Sequence, residues 1–473
     1  MKTNKAQTLR QLEEEASASL DVDTFKEVVT NRTQTAVFIY HMSCVQKLSS
    51  RAGISTFGDL LAGLEKFIRL GLLEGNIVQV VSDRYDSTLS IKAGERKRRG
   101  HTANSPEVCI YFKDQVLPRN MKAYLANPKN KDNLNAFVFS EWETSMPCKL
   151  DSSQTLVLSG GFVDHERVIA LSKDSVKELY DLYSSQEEAD TRLMLHIHDA
   201  CTRFGINTAI IWSPDTDVFI LGIHFSGQFD INIWFKTGTK QSTRYIPLHS
   251  IGQKIGADLC TLLLPYHALT GCDSTSCFKG KGKKKGLDVL RGNQERYQSL
   301  CSLGDSLQIP QEVMKVCENF VCQLYQSDPV TTDINKVRYN LFCKHAKQNE
   351  GLPPCRDSLT QHVKRCNYQC VVWKSALVAK PDIPPPGGHG WIGTEDGLLP
   401  ELMTQESAPK EVVELTTCRC KTSKCAKRQC KCAQRGLKCT PACLCGGDVD
   451  QCVNTGDDSD ESDIVSSDED SDE

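Results

Sequence analysis

Residues Ser185–Asp217 read SQEEADTRLMLHIHDACTRFGINTAIIWSPDTD, and this stretch decides the fold. Ser185 followed by Glu188 is a capping-box pattern, and Ala189, Leu193, Ile197 and Ala200 then form an apolar stripe at helical spacing. The turn-like Phe204-Gly-Ile-Asn207 leads into a continuous apolar strand, Ala209-Ile-Ile-Trp212, which ends in Ser213-Pro-Asp-Thr-Asp217. A helix feeding such a strand is half of a parallel βαβ unit.

Working outward, the same alternation recurs. Thr35-Ala-Val-Phe-Ile-Tyr40, Ile77-Val-Gln-Val-Val81 and Leu156-Val-Leu158 read as further strands. Leu60, Leu61, Leu64, Phe67 and Ile68 place a helix between the first two. An α/β domain with a largely parallel sheet flanked by helices is therefore predicted over residues 34–345. A polar, partly helical lead-in occupies residues 1–33. Residues 346–410 carry Pro353-Pro354 and Pro384-Pro-Pro-Gly-Gly388 and read as a linker with a short helix. A cysteine-rich domain is expected over residues 411–455 and a disordered acidic tail over residues 456–473.

The 473 residues have ordinary globular composition, with 39% hydrophobic and 25% charged, which excludes collagen-like and wholly disordered classes. No run of about 18 apolar residues is present and the first twenty residues are polar, so a membrane span and a secretory leader are not expected. The net charge of −4 hides an asymmetry: Asp457–Glu473 holds ten acids, and without those ten charges the remainder is +6. A mildly basic body with an acidic tail suits a polyanion partner, with DNA and a nuclear location as the expectation.

Acids gather where an open α/β sheet builds its sites, beyond the carboxyl ends of the strands. Asp83 follows Ile77–Val81, and Asp215 and Asp217 follow Ala209–Trp212. Glu188 and Asp190 begin the helix that leads into that strand, and Asp273 follows the apolar run Leu262–Leu264. Clustered carboxylates repel one another unless cations bridge them, and oxygen donors suit Mg²⁺ or Mn²⁺. Two such ions can clamp the attacking and leaving oxygens of a phosphodiester displacement. Taken singly, each acid is also explained by a helix dipole or a turn. Two basic runs follow the acids, Lys92–Arg99 with Lys92, Arg96, Arg98 and Arg99, and Lys279–Lys285 with Lys279, Lys281, Lys283 and Lys284. They suit phosphate contacts, and the second equally fits a nuclear import signal or a solvated face. The glycines around Lys281 do not match a P-loop.

The ordered set resembles the flap-endonuclease branch of the PIN-like nucleases. Asp83 before Lys92-Ala-Gly-Glu95, then Glu188-Ala-Asp190, Asp215-Thr-Asp217, Gly271-Cys-Asp273 and Gly280-Lys-Gly282 carry the likeness, over roughly residues 35 to 300. It implies that Asp83, Glu188, Asp190, Asp215, Asp217 and Asp273 hold two divalent ions. It also implies that Lys92 and Arg99 steady the scissile phosphate as catalytic residues, and that the glycine-flanked segment grips duplex backbone. One position departs: the family's Asp at the end of the first strand is Tyr40 here, followed by His41. A neutral phenol is a poor ligand for Mg²⁺.

Nine of the 23 cysteines lie in Cys418-Arg-Cys420, Cys425, Cys430-Lys-Cys432, Cys439, Cys443-Leu-Cys445 and Cys452. Without a secretory signal, such spacing favours metal over disulfides. Nine thiolates hold two Zn²⁺ ions without sharing, or three with bridging sulfurs. The pattern resembles the CXC domain of tesmin-type proteins, which implies about three zinc ions and DNA binding, with Lys421, Lys424 and Arg428 among the phosphate contacts. Two functions follow as expectations: a metal-dependent DNA nuclease carrying a zinc module, or a catalytically inactive DNA- or chromatin-binding protein on the same fold, possible also as a transposon-derived accessory.

Overall fold

The computed structural model describes residues 5–16, 19–49, 53–85, 90–92, 106–238, 242–326, 331–344, 351–394 and 397–405, and within the cysteine-rich region residues 417–420, 425, 430–434, 437–439, 443–445 and 452–454. Arg96, Arg98, Arg99, Lys421, Lys424, Arg428 and the acidic tail lie outside the described residues. The chain divides into two compact units, residues 1–402 and 403–473.

The first unit is built on a nine-stranded sheet. Its strands are β1 (Leu20–Asp21), β2 (Thr35–Tyr40), β3 (Ile77–Val81), β4 (Thr155–Ser159), β5 (Val168–Ser172), β6 (Ser175–Glu178), β7 (Thr208–Trp212), β8 (Asn232–Thr237) and β9 (Arg244–Pro247), in the order β1-β9-β8-β7-β2-β3-β4-β5-β6. The five central strands, β8 to β4, are mutually parallel, and the outer pairings are antiparallel. Because both faces are covered, the central strands are largely apolar; Gln79 in β3 is buried and bonded to His196. Phe38, Val81 and Ile211 enter one core, and their strand neighbours Ile39, Val80 and Ile210 enter the core on the opposite face. Helices 41–49, 57–74 and 128–145 cover the second face; helices 189–203, 216–226, 257–269, 311–325 and 356–374 cover the first.

Consecutive strands run from β2 to β4 on one side of β2 and resume at β7 and β8 on the other. The order thus reverses between β2 and β7, and the crevice beyond their carboxyl ends is the natural binding place of such a sheet.

Several boundaries differ from expectation. The lead-in contributes a helix, Lys5–Ala16, whose Leu9 and Leu12 are buried in the core. The segment expected as a linker with a short helix carries a helix of 19 residues, Arg356–Lys374, with Leu359, Val363, Cys366, Cys370 and Trp373 buried. It then forms a hairpin, β10 (Trp391–Thr394) with β11 (Gly397–Pro400). The run Leu262–Leu264 is no strand: it lies inside the buried helix Ala257–Leu269. No described helix is long and apolar enough to cross a membrane.

Candidate functional site

Three loops and a helix start converge beyond β2, β3 and β7. Tyr40 ends β2, Asp83 lies two residues past β3, and Asp215 and Asp217 follow β7, where Asp215 caps the helix Thr216–Ser226 by accepting from the Asp217 amide at 2.9 Å. The helix Ala189–Arg203 begins three residues later than the capping-box pattern places it. Glu188 is its N-cap residue and makes no side-chain cap bond. The reason is tertiary: the Ser185 amide donates to the Ala379 carbonyl, and Gln186 donates to the carbonyls of Ala376 and Val378. The first helical amide, Ala189 N–H, is instead satisfied by Asp83 Oδ1 at 2.8 Å. Asp83 therefore caps a helix more than a hundred residues away, and in doing so sets Glu188 and Asp190 beside β3.

Lys92 joins these acids. Its Nζ is 2.8 Å from Glu188 Oε2 and 3.3 Å from Asp190 Oδ2. Glu188 and Asp190 are buried, and Lys92 is the charged partner that both share. Burial opposes the charge on Lys92, but Glu188, Asp190, Asp273 and Asp217 outweigh it and hold the ammonium charged. For Glu188, burial pushes the carboxyl up to about 7 against the pull of Lys92. Asp190 is raised well above the ordinary carboxylate range by burial, against the pull of Lys92, with Asp215, Glu188 and Asp217 adding to the rise. Carboxyl groups outnumber the ammonium, and the upward shifts of Glu188 and Asp190 mark burial and mutual repulsion that a bound cation would relieve. The candidate ligands are all carboxylate oxygens, and two of them, on Glu188 and Asp190, are already drawn to one cation, the Lys92 ammonium. That set fits a hard divalent cation such as Mg²⁺ or Mn²⁺.

Asp273 sits on the turn after the helix Ala257–Leu269, with Gly271 at φ 103°, and is felt electrostatically by Lys92. Asp83 is engaged differently. Its Oδ2 accepts from the Tyr40 hydroxyl at 2.7 Å and from the Tyr85 hydroxyl at 3.0 Å, while Oδ1 takes the Ala189 amide. Three donors satisfy this carboxylate within the protein. His41 is buried against Phe139 and Trp142; burial lowers it to about 4 against the upward pull of Asn135 and the Asp83 charge.

Of the lysines in the second basic run, Lys279 and Lys284 are exposed and Lys281 is half-buried over the Tyr325 ring. Lys283 corrects the expectation of a phosphate contact. It is 1% exposed, and its ammonium donates to His267 Nδ1 at 3.1 Å, the His267 carbonyl at 3.0 Å and Thr270 Oγ1 at 2.9 Å. His267, which the sequence reading passes over, bonds Asp217 Oδ1 through Nε2 at 2.8 Å. His196 is fully buried between Gln79 and Ser159 and takes no part in the acid cluster.

In the second unit, eight cysteines are buried together: Cys418, Cys425, Cys430, Cys432, Cys439, Cys443, Cys445 and Cys452. Three overlapping groups of four have their sulfurs within 4.8 Å of one another: Cys418, Cys432, Cys439, Cys443; Cys418, Cys425, Cys430, Cys439; and Cys425, Cys439, Cys445, Cys452. Cys420 packs beside them, outside the three groups. The Sγ separations of Cys418–Cys425, Cys430–Cys439 and Cys432–Cys443 are 3.7, 3.6 and 3.6 Å. Four thiolates about 2.3 Å from a tetrahedral zinc ion stand about 3.8 Å apart, so the set fits zinc. Asn454 braces it by donating to Cys439 Sγ at 3.4 Å and to the Leu437 carbonyl at 2.8 Å.

No protein-family model matches this chain, and no curated protein matches it. Among solved structures, the chain is similar to the catalytic core of Rad2 in complex with a DNA substrate, at 12% identity, over 77% of this chain and 88% of that one, with a TM-score of 0.36. The chemistry of the site therefore rests on the residues themselves.

Proposed function

We propose that the chain is a PIN-like, divalent-metal-dependent phosphodiesterase acting on DNA, joined to a zinc-binding CXC module that binds DNA. The observation that carries this reading is the pairing of Lys92 with the buried carboxyls of Glu188 and Asp190, with Asp215, Asp217 and Asp273 close enough to be felt. Those acids would hold one or two Mg²⁺ or Mn²⁺ ions. When bound, such an ion supplies Lewis-acid stabilisation of the charge that develops on a phosphodiester. The chain's own part is positional. Asp83 fixes the helix start that presents Glu188 and Asp190, and Lys92 offers an ammonium to a non-bridging phosphate oxygen. Exposed Lys279 and Lys284 suit duplex backbone. In the second unit, about three zinc ions would organise a segment too short to build an apolar core.

One observation favours a second reading. The carboxylate of Asp83 is already satisfied by Tyr40, Tyr85 and the Ala189 amide, which suits a binding protein that has lost part of its metal site. The deciding experiment is nicking of labelled single-stranded, duplex and flap DNA with Mg²⁺ or Mn²⁺. Metal-dependent cleavage lost in Asp215→Ala/Asp217→Ala supports the enzyme; salt-sensitive binding without cleavage supports the second reading.

A further inference from the structure

Buried behind the acid cluster runs a hydrogen-bonded chain that no solvated contact explains: Lys283, His267, Asp217. All three side chains are at most 1% exposed. An ammonium has three donors and no acceptor. Those of Lys283 are taken by His267 Nδ1, the His267 carbonyl and Thr270 Oγ1. Thr270 donates onward to the Tyr266 carbonyl, so its oxygen is available to accept from Lys283. The donor at Nδ1 obliges that nitrogen to accept, which leaves the proton on Nε2, facing Asp217 Oδ1 at 2.8 Å. Trp373 flanks the imidazole, with ring centroids 5.7 Å apart, and the Lys283 ammonium lies over the Tyr266 ring. The Tyr266 hydroxyl donates to the Lys283 carbonyl at 2.7 Å, pinning the start of the helix Lys283–Gly292.

We infer that Lys283, acting through His267, is a positioning residue that fixes the tautomer of His267 and thereby the orientation of Asp217 toward a divalent ion. This deepens the reading of the acid cluster and rests on it. The arrangement also ties two parts of the fold together. The lysine that reaches inward belongs to the same segment whose Lys279 and Lys284 face outward, so the start of that helix is anchored to an acid of the pocket.

The sign of one measurement separates this role from a plain charge effect. Deleting a buried positive charge near a carboxylate, by itself, strengthens the attraction for a dication. Loss of an outer hydrogen-bond partner of a ligand weakens metal binding, by about 10–100-fold in known sites. Mn²⁺ is titrated into the zinc-loaded full chain and followed by electron paramagnetic resonance of the free ion. The variants are Lys283→Met, Lys283→Gln, His267→Gln and the double Lys283→Met/His267→Gln, each checked for native circular dichroism. The expected result is Mn²⁺ binding about 10–100-fold weaker in Lys283→Met. Partial recovery is expected in Lys283→Gln, which keeps a donor, and the double variant should be no weaker than His267→Gln alone. Should Lys283→Met fail to fold, the comparison of His267→Gln with Lys283→Gln carries the test. Equal or tighter Mn²⁺ binding in the Lys283 variants, with wild type binding, overturns the positioning role alone. Absence of Mn²⁺ binding in wild type overturns it together with the metal reading on which it rests.

Discussion

The Tyr40 hydroxyl donates a 2.7 Å hydrogen bond to Asp83 Oδ2, at the point where β2 and β3 open into the crevice. A phenol stands where a carboxylate would add to the cluster, and it converts Asp83 from a candidate ligand into a satisfied brace for the helix that presents Glu188 and Asp190. Burial and the Asp83 charge both raise Tyr40, so it stays a neutral donor.

Tyr40→Phe removes one of three donors to Asp83. A hydrogen bond to a charged group is worth about 1.5–3 kcal/mol, and two donors remain, so a loss of about 1–2 kcal/mol in urea unfolding is expected. Tyr40→Asp is expected to increase metal-dependent nicking by about tenfold or more by restoring a ligand. No increase, with the fold intact, would mean that position 40 does not face a bound ion.

Lys92 occupies the space between Glu188 and Asp190 that a cation between them would claim. Lys92→Met is expected to tighten Mn²⁺ binding several-fold while lowering DNA cleavage, because the same ammonium repels the ion and steadies the phosphate. A parallel loss of both would mean that Lys92 is only structural.

Three buried histidines set an acid limit on stability. Burial lowers His41 and His362 to about 4 and His196 to about 3. The unfolded chain protonates its histidines near 6.5, so between about pH 6.5 and 4 it binds more protons than the native state. Stability is therefore flat on this account above about pH 7 and falls as pH drops through that window. In His196→Gln the fall is expected to be shallower by one proton, measured from urea midpoints between pH 4 and 7. An unchanged slope would show that His196 is not held neutral.

Zinc removal should act on one unit only. Chelation is expected to release about three zinc ions per chain and to unfold the region around Cys418–Cys452, because binding and folding of such a segment are one process. The far-ultraviolet spectrum of the α/β unit should persist. Release of no zinc, or loss of both units together, would contradict this.

The sheet was legible because its central strands are buried on both faces and so read as largely apolar runs such as Thr35–Tyr40 and Thr208–Trp212. The acids at their ends were legible for the same reason. The helix Arg356–Lys374 was legible only as a short helix: Leu359, Val363, Cys366, Cys370 and Trp373 keep helical spacing, but Gln361, His362, Arg365, Asn367 and Gln369 are buried as well, so polar residues hide its length and its place in the core. His267 was hidden in a helix that is apolar on nearly every side, where a lone histidine reads as core filling. Lys283 was hidden among like residues: only the fold turns one lysine of the run inward. The start of the helix at Ala189 was misplaced because its cap, Asp83, comes from another loop.

The acid cluster around Lys92 is expected to bind a divalent cation. The most direct test is calorimetric titration of Mn²⁺ into the zinc-loaded full chain, wild type against Asp190→Asn/Asp217→Asn. Saturable binding in wild type that the double variant loses is the predicted result. Equal binding by both proteins, or none by wild type, would contradict it.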